Sequence, residues 1–531
     1  MRRTISALIL ALAIFTLPSV CIGQADVHAL KTAAELSDFE KTSRYEEVMT
    51  FLRGIESASD KMHLTSFGYS TEARELPLMI FGDVENASPE TVLATGKTRV
   101  YLQGNIHAGE VCGKEALLML LREMAAGDHD EWLQTMVVLV APIYNVDGNE
   151  RVSLYNRGRQ NGPIAGMGQR PNAQNYDLNR DHLKIDSPEA RSLVKFINKY
   201  DPHVLVDFHT TNGDYHAYHL TYSPPLHPNT DHRIVDFLKK KWLPEMTTTI
   251  KKKHGWDYYY YGNTPRRGSK RERGWYTFDH RPRFSNNYAG LRNRLGILSE
   301  AYSYATFKDR ILASLYFGTE ILHFAHKNGQ KIKQLVDEAD RTPVVGKMMA
   351  VKARHHRAEE EIDLLMGEVT PLKNPYTGRT IYERKDVRTV ERMPDYGQFK
   401  GTEMVRVPTA YYVPADLRPA VDRLQWHGAS IETVAADTTI MVEQFTIDSS
   451  RVATREYQGH KAQTLFGSSA VSEVKIAAGT LRIPMDQPLA RIIFALLEPR
   501  SDDGIVAWGY LTRTLKGKKV YPILRQAGAG K

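Results

Sequence analysis

Three short segments carry side chains that bind metal ions or move protons. The first is His107-Ala108-Gly109-Glu110, where an apolar run ends and a helical pattern begins. His209 and Glu300 each stand at the end of a further apolar run. An imidazole and a carboxylate three residues apart can bind one Zn²⁺ ion, and a second histidine leaves the fourth tetrahedral position open for water. These residue types therefore predict a catalytic zinc site with His107, Glu110 and His209 as ligands.

Each of these features also has an ordinary structural explanation. A histidine followed three places later by glutamate occurs often by chance, and a lone histidine at a strand end is commonly a satisfied core residue. A buried carboxylate is costly unless it is used or paired. Glu300 could therefore form a structural ion pair, or it could act as general base beside a metal-bound water.

A fourth segment, Asn175-Tyr176-Asp177-Leu178-Asn179-Arg180, carries groups suited to anion binding. Taken alone, these are turn residues and solvated charge. A guanidinium beside an amide, however, can bind a carboxylate through two hydrogen bonds. Asn179 and Arg180 would suit the free C-terminus of a peptide.

The elements that position these residues are predicted from the alternation of apolar runs with helical patterns. Four runs read as buried strands, and each is followed by polar residues: 99–103, 136–142, 203–208 and 295–299. Two helices are expected, at 111–125 and at 187–199, the latter with Ser187 as N-cap before Pro188. This alternation is typical of an α/β fold with parallel strands, whose ligand crevice lies at the carboxyl ends of the strands.

The rest of the chain divides into further regions. Residues 216–293 form a long insertion without strong periodicity, which we expect to contribute to a substrate pocket. Residues 310–367 look largely helical, and short strands follow at 439–445, 470–476 and 491–497. The predicted division is a catalytic domain at 24–330, a helical linker at 331–367 and a β-rich C-terminal domain at 368–531.

The composition and the N-terminal residues indicate in which cellular compartment the protein works. The chain has 531 residues, 42% of them hydrophobic and 25% charged, with two cysteines, which excludes a disulfide framework. Residues 1–23 read as a signal peptide, because an arginine pair precedes an apolar run shorter than the ~20 residues of a membrane span. Its removal would lower the net charge from +8 to +6 (8 − 2). We expect a periplasmic or extracellular protein without stable membrane insertion, and lipid attachment at Cys21 is the alternative.

Much of the excess positive charge lies at 239–253 and 266–273. No nucleic-acid-binding motif accompanies these residues, so they are interpreted as solvated surface, and no nucleic-acid partner is expected.

Taken in order, the segments resemble the zinc carboxypeptidases of the carboxypeptidase A type. The resemblance covers about residues 97–304, roughly two fifths of the chain, and rests on the following elements in sequence: His107 with Glu110, 145–148, Arg157, Asp177 with Asn179 and Arg180, His209, and Glu300. It implies a doubly wound α/β catalytic domain with a mixed sheet and one Zn²⁺ ion per chain. It also implies that His107, Glu110 and His209 are the zinc ligands and that Glu300 is the catalytic carboxylate.

Further roles are implied by the same resemblance. Asn179 and Arg180 would hold the substrate's terminal carboxylate, and Arg157 would stabilise the oxyanion, with Arg159 as its competitor. Asp177 would orient His107 through a hydrogen bond, as carboxylates do for metal-bound histidines. The family's substrate-closing tyrosine has two candidates, Tyr276 and Tyr288.

The expected activity is hydrolysis of C-terminal peptide bonds by a metal-activated water with Glu300 as general base. Two alternatives stay open: an amidase or peptidase that acts on murein peptides or acyl-amino acids, and a non-catalytic zinc-containing binding protein. Side-chain preference is also open, since Asp257 or Asp279 would favour basic residues and the tyrosines at 258–261 aromatic ones. The sequence does not determine the oligomeric state.

Overall fold

The computed structural model describes residues 27–526. The predicted signal peptide, 1–23, lies outside these residues. Within the described part, none of the helices combines the length and the apolar character needed to cross a bilayer.

An eight-stranded mixed sheet forms the centre of the N-terminal part. Its strands, from one edge to the other, are Met62–Tyr69, Glu75–Phe81, Met136–Ala141, Thr98–Gly104, Val204–Thr210, Leu295–Ala301, Leu220–Ser223 and Tyr258–Tyr260. The four central strands run parallel to one another and are the four predicted from the sequence. They are almost entirely buried, as expected for a parallel sheet covered on both faces. The predicted fold class is confirmed.

Helices cover this sheet. They are Ala33–Leu36, Tyr45–Ala58, Pro89–Ala94, Cys112–Ala126, Val146–Glu150, Pro188–Tyr200, His232–Phe237, Leu243–His254, Ser285–Leu291 and Phe307–Arg341. Short 3₁₀ segments occupy Val27–Ala29, Asp130–Gln134 and Leu178–Arg180. The Ser187 side chain accepts a hydrogen bond from the backbone N of Ala190 and caps its helix as predicted.

Three expectations about secondary structure are wrong. The insertion 216–293 is not an irregular loop, because it contributes two strands to the main sheet and three helices. The predicted helical linker 331–367 is helical only as far as Arg341, and strands Met348–His356 and Glu361–Met366 follow. Residues Ala490–Leu497 form a helix instead of a strand. This last run is buried on every side, so apolar periodicity cannot distinguish the two structures.

The C-terminal part is rich in β-structure, as expected. Its largest sheet is antiparallel, with the strand order Glu432–Thr433, Leu481–Pro484, Ala410–Val413, Leu524–Gln526, Thr438–Val452 and Gln463–Ile476. Smaller sheets contain Met348–His356 with Gln398–Arg406, Val369–Lys373 with Thr380–Arg384, and Glu361–Met366 with Thr389–Tyr396. Helix Arg418–His427 packs against helix Pro188–Tyr200 of the N-terminal part.

The N-terminal and C-terminal parts are joined by strand pairing and share one hydrophobic core. Strand Trp275–Tyr276 pairs with Thr389–Tyr396, and buried residues from both parts belong to the same core cluster. The domain boundaries at 330 and 367 stay a prediction.

Candidate metal centre and substrate cleft

The His107–Glu110 corner is a tight turn between strand Thr98–Gly104 and helix Cys112–Ala126. Asn105 adopts a left-handed conformation with φ of 64°, and the backbone N of Glu110 donates to the carbonyl of His107 over 2.8 Å. Asn145 supports the turn, because its amide donates to the carbonyl of Ile106 while its oxygen accepts from the backbone N of Gly148. The Asn145–Gly148 motif therefore positions the segment that carries the first two predicted ligands.

His209 and Glu300 are placed by sheet register. They are paired residues on the neighbouring parallel strands Val204–Thr210 and Leu295–Ala301. Side chains at paired positions leave the same face of a sheet, so the two groups project into one crevice. Both stand at the carboxyl ends of their strands, where α/β sheets bind ligands.

The three predicted ligands converge in the structure. His107, Glu110 and His209 are all buried, and their ligand atoms lie within 4.8 Å of one another. Nδ1 of His107 lies 3.1 Å from one oxygen of Glu110, and Nδ1 of His209 lies 2.9 Å from the other. The two Nδ1 atoms are 3.1 Å apart.

The outward nitrogens of both histidines meet carboxylates. Nε2 of His107 lies 3.0 Å from Oδ1 of Asp177, as predicted, and Nε2 of His209 lies 2.9 Å from Oδ2 of Asp207. A hydrogen on each Nε2 leaves the two Nδ1 lone pairs facing each other and the Glu110 carboxylate. A cation between them resolves this arrangement, and carboxylate-supported imidazoles are typical of zinc sites. The donor set therefore fits Zn²⁺.

Two neighbouring side chains lower the cost of burying Glu110. Although burial alone would raise its pKa, Arg157 and His107 hold the pKa of Glu110 well below its usual range. The backbone N of Thr210 also donates to Oε2 of Glu110 over 3.0 Å. Glu110 is thus an ionised carboxylate, the form that binds a metal ion.

Glu300 lies in the same cleft in a different electrostatic environment. Its Oε2 atom is buried and has no hydrogen-bond partner among residues 27–526. Burial raises the pKa of Glu300 to about 8, a rise to which Glu110 adds, while His209 and two arginines oppose it. A carboxylate with an unused oxygen and a raised pKa is suited to accepting a proton.

The segment that carries Asn179 and Arg180 forms another wall of this cleft. The side-chain oxygen of Asn179 accepts from the backbone N of Ser285 over 3.0 Å, and its nitrogen lies 3.3 Å from Nε2 of His209. The guanidinium of Arg180 lies over the Phe284 ring, 4.0 Å from its centroid. Nε of Arg180 donates to the hydroxyl of Tyr457 over 3.1 Å.

The role predicted for Arg157, stabilisation of the oxyanion, stays a prediction. Arg157 contacts Glu110 at 2.7 Å and the carbonyl of Thr210 at 3.3 Å, and it does not line the cleft. Arg159, its competitor for that role, donates to the hydroxyl of Tyr304 over 2.6 Å. These contacts favour a role for Arg157 in holding Glu110.

Sequence reasoning missed Arg170, which does line the cleft. Its Nε donates to Oδ2 of Asp177 over 2.9 Å, and its Nη1 lies 3.5 Å from Oε1 of Glu110. The turn after it depends on Asn172, whose side-chain oxygen accepts from the backbone N of Tyr176. Arg170 lies in irregular backbone, so no periodic sequence pattern could have identified it.

The cleft has a volume of about 490 Å³. Its lining beyond the groups already described includes Asn212, Tyr261, Phe278, Asp279, Arg281, Arg283 and Tyr457. Of the two aspartates considered for specificity, Asp279 therefore lies in the cleft, where it pairs with Arg281, whereas Asp257 pairs with Lys251 and Arg388 outside it.

The two tyrosines suggested for substrate closure also lie outside the cleft. Tyr276 stacks on Tyr396 with ring centroids 4.1 Å apart, and the hydroxyl of Tyr288 is 2.9 Å from Nδ1 of His427. The tyrosines that do line the cleft are Tyr261 and Tyr457.

Comparisons with known proteins agree with this geometry. Residues 48–288 match the family model described as zinc carboxypeptidase, a range that contains His107, Glu110 and His209 and ends before Glu300. The chain is 25% identical over 515 residues to carboxypeptidase 2 of Trichophyton rubrum, covering 91% of this chain and 86% of that protein. It is 28% identical over 240 residues to carboxypeptidase D of Homo sapiens, covering 39% and 17% respectively.

Among solved structures, a metallo-carboxypeptidase from Burkholderia cenocepacia matches with a TM-score of 0.40 and 16% identity, over 54% of this chain and 69% of that one.

Residues 48–288 thus match a zinc carboxypeptidase domain and contain the His-Glu-His cluster, and the chain carries an additional C-terminal region. The protein is a peptide hydrolase of the metallocarboxypeptidase class, and its cofactor is zinc.

Proposed function

We propose that this chain removes residues one at a time from the C-terminus of peptides, with His107, Glu110 and His209 as zinc ligands and Glu300 as general base. The observation that carries the proposal is the placement of Glu300 and Arg180 in the same cleft as the ligand cluster. Zn²⁺ held there supplies Lewis acidity, which lowers the pKa of a coordinated water and polarises a carbonyl.

Arg180 is the cleft arginine whose charge is least compensated. Arg170, Arg281 and Arg283 each have an aspartate oxygen within 3 Å. Arg180 reaches only Asp177, at 3.8 Å. A guanidinium without a close carboxylate partner is suited to bind one from a ligand. Together with the amide nitrogen of Asn179, Arg180 would hold the terminal carboxylate of the peptide.

Glu300 would perform the proton transfers. Its unpartnered oxygen accepts a proton from the attacking water, and the raised pKa of Glu300 helps it to keep that proton until the amine departs. Glu300 then donates the proton to the leaving nitrogen. Arg170, at the cleft wall, is better placed than Arg157 to donate hydrogen bonds to the developing oxyanion.

Export is part of the proposal. The arginine pair and the apolar run within residues 1–23 support secretion to the periplasm or the extracellular space. The substrate would therefore be an extracytoplasmic peptide, either from protein or from murein.

The test measures turnover of two sets of substrates by the zinc-loaded protein: peptides blocked at the N-terminus, and murein peptides. Each substrate is assayed once with a free C-terminal carboxylate and once as the C-terminal amide. We expect cleavage of the free acids and none of the amides. Equal cleavage of both forms would refute the role of Arg180.

The variant Glu300→Gln, assayed in parallel, should retain zinc and lose about a hundredfold to ten-thousandfold in kcat. Glu473→Gln, on an exposed strand position, is the matched control. Normal turnover by zinc-loaded Glu300→Gln would refute the general-base assignment.

A further inference from the structure

A turn from the C-terminal region reaches into the cleft. It lies at the tip of the hairpin formed by strands Thr438–Val452 and Gln463–Ile476. The backbone N of Tyr457 donates to the carbonyl of His460 over 2.8 Å, and the reverse hydrogen bond is 3.1 Å long. Gln458 and Gly459 between them have φ of 53° and 76°. Two successive positive φ values are typical of a type I′ turn, so Tyr457 has a defined position.

This turn is bound to both ends of residues 177–186, the stretch that contains Asn179 and Arg180. At one end, the side-chain oxygen of Gln458 accepts from the backbone N of Asp177 over 2.7 Å. At the other end, Nε2 of His460 lies 2.7 Å from the carboxylate of Asp186. The C-terminal region therefore holds the proposed carboxylate-binding segment in place.

Gly459 permits this close approach. A β-carbon at Gly459 would lie 2.8 Å from the hydroxyl of Tyr176, and its φ of 76° would strain most other residues. The turn thus packs directly against Tyr176, the residue before Asp177.

Tyr457 places a hydroxyl beside the guanidinium of Arg180. Its ring stacks on Trp508 with centroids 6.2 Å apart and an interplanar angle of 14°, and 48% of the residue is exposed. The hydroxyl accepts from Nε of Arg180, so its own proton is still available for donation. Within residues 27–526, no acceptor takes up that proton.

The remaining contacts of Arg180 direct a ligand toward Tyr457. Nη1 of Arg180 donates to the backbone carbonyl of Asn179 over 2.6 Å, and Phe284 covers one face of the guanidinium. A carboxylate that approaches Arg180 from the cleft therefore meets the Tyr457 hydroxyl as a second donor.

We propose that Tyr457 is a substrate-binding residue, whose hydroxyl donates to the same terminal carboxylate that Arg180 binds. The inference rests on the proposed function, and it assigns part of the substrate site to the C-terminal region. Tyr457 acts in binding and takes no part in proton transfer, since the general base in the proposal is Glu300.

Tyr457→Phe tests the proposal, because it removes the hydroxyl and retains the ring that stacks on Trp508. A hydrogen bond to a charged group contributes enough that we expect KM for free-acid peptides to rise about tenfold, with kcat changed less than about twofold. The inhibition constant of the released amino acid should rise by the same factor, whereas that of its amide should not change.

Tyr376→Phe, an exposed tyrosine in another hairpin, is the matched control and should behave as the wild type. Zinc content and thermal unfolding of both variants verify that the fold is intact. If the wild type cleaves free acids and Tyr457→Phe has the same KM, the inference is overturned. A loss confined to kcat would also overturn it. A wild type inactive on every free-acid peptide would instead overturn the proposed function itself.

Discussion

Asp177 lies 3.0 Å from Nε2 of His107 and so turns the other ring nitrogen of this histidine toward Glu110. The same carboxylate accepts from the backbone N of Asn179 and from Nε of Arg170, each over 2.9 Å. Although burial alone would raise the pKa of Asp177, His107 and Arg170 hold it well below its usual range. The ionised carboxylate of Asp177 therefore fixes the positions of three groups: the proposed zinc ligand His107, the cleft residue Arg170, and the segment that carries Asn179.

Replacement of Asp177 by asparagine should weaken zinc binding. The amide cannot reproduce the charge that fixes the His107 tautomer and raises the basicity of Nδ1, so we expect zinc affinity to fall about tenfold to a hundredfold. Competition with a chromophoric chelator measures this, and Asp448→Asn, at an exposed strand position, is the control. Unchanged affinity in Asp177→Asn would contradict the orienting role.

Replacement of Arg170 by lysine should impair turnover, whereas replacement of Arg157 by lysine should impair zinc binding. If Arg170 donates to the oxyanion, Arg170→Lys at full zinc occupancy should lose about a hundredfold to a thousandfold in kcat, with a smaller change in KM. Arg157→Lys should instead lower zinc affinity, since Arg157 contacts the Glu110 carboxylate at 2.7 Å. Steady-state kinetics measure the loss of kcat, and metal titration measures the loss of zinc affinity. If Arg157→Lys lost kcat and Arg170→Lys lost zinc affinity instead, Arg157 would be the residue that stabilises the oxyanion.

The metal cluster could be predicted from sequence because its residues follow regular elements. His107, His209 and Glu300 each come at or just after the carboxyl end of a buried parallel strand, and such ends converge in an α/β sheet. The Asp177–His107 hydrogen bond, by contrast, is predicted by the family resemblance alone, because Asp177 lies in an irregular segment.

The remaining site residues depend on irregular backbone and on long-range packing. Arg170 reaches the cleft through a turn held by Asn172, which carries no periodic signal. Tyr457 contacts Arg180 although it lies 277 positions further along the chain. It stands at the tip of a hairpin, and the sequence of a hairpin does not indicate which part of the protein its tip contacts. Residues Ala490–Leu497 are apolar throughout, so only their tertiary environment decides between helix and strand.

The N-terminal segment should be important for stability. Glu115 is fully buried and accepts hydrogen bonds from the backbone N and hydroxyl of Ser43 and from the hydroxyl of Thr42, with Lys114 3.7 Å away. Glu115→Gln leaves a buried ammonium without its counter-charge, so we expect a loss of about 3 kcal/mol or more in the free energy of unfolding. Urea denaturation measures it, with the exposed Glu46→Gln as control. Equal free energies of unfolding for Glu115→Gln and Glu46→Gln would show that the contacts of Glu115 with Ser43 and Lys114 do not stabilise the fold.

Acid should destabilise the fold through buried neutral histidines. His427 is buried, with Nδ1 2.9 Å from the Tyr288 hydroxyl and Nε2 3.0 Å from the carbonyl of Leu183. Burial lowers the pKa of His427 to about 3, whereas an unfolded histidine titrates near ~6.5. Between these values the unfolded chain binds more protons, so stability present above pH ~6.5 is lost as the pH falls toward 3.

His427→Gln retains a polar side chain but removes the titration. The free energy of unfolding of this variant should be lower than that of the wild type at pH 7, yet it should fall less steeply on acidification. The difference in slope should be about 1.4 kcal/mol per pH unit, the value for one proton, between pH ~6 and ~4. Denaturant titrations at several pH values measure the slope, and His356→Gln, at an exposed position, should leave it unchanged. Parallel stability curves for His427→Gln and the wild type would mean that His427 binds its proton equally well in the folded protein, which its enclosed position between Tyr288 and Leu183 argues against.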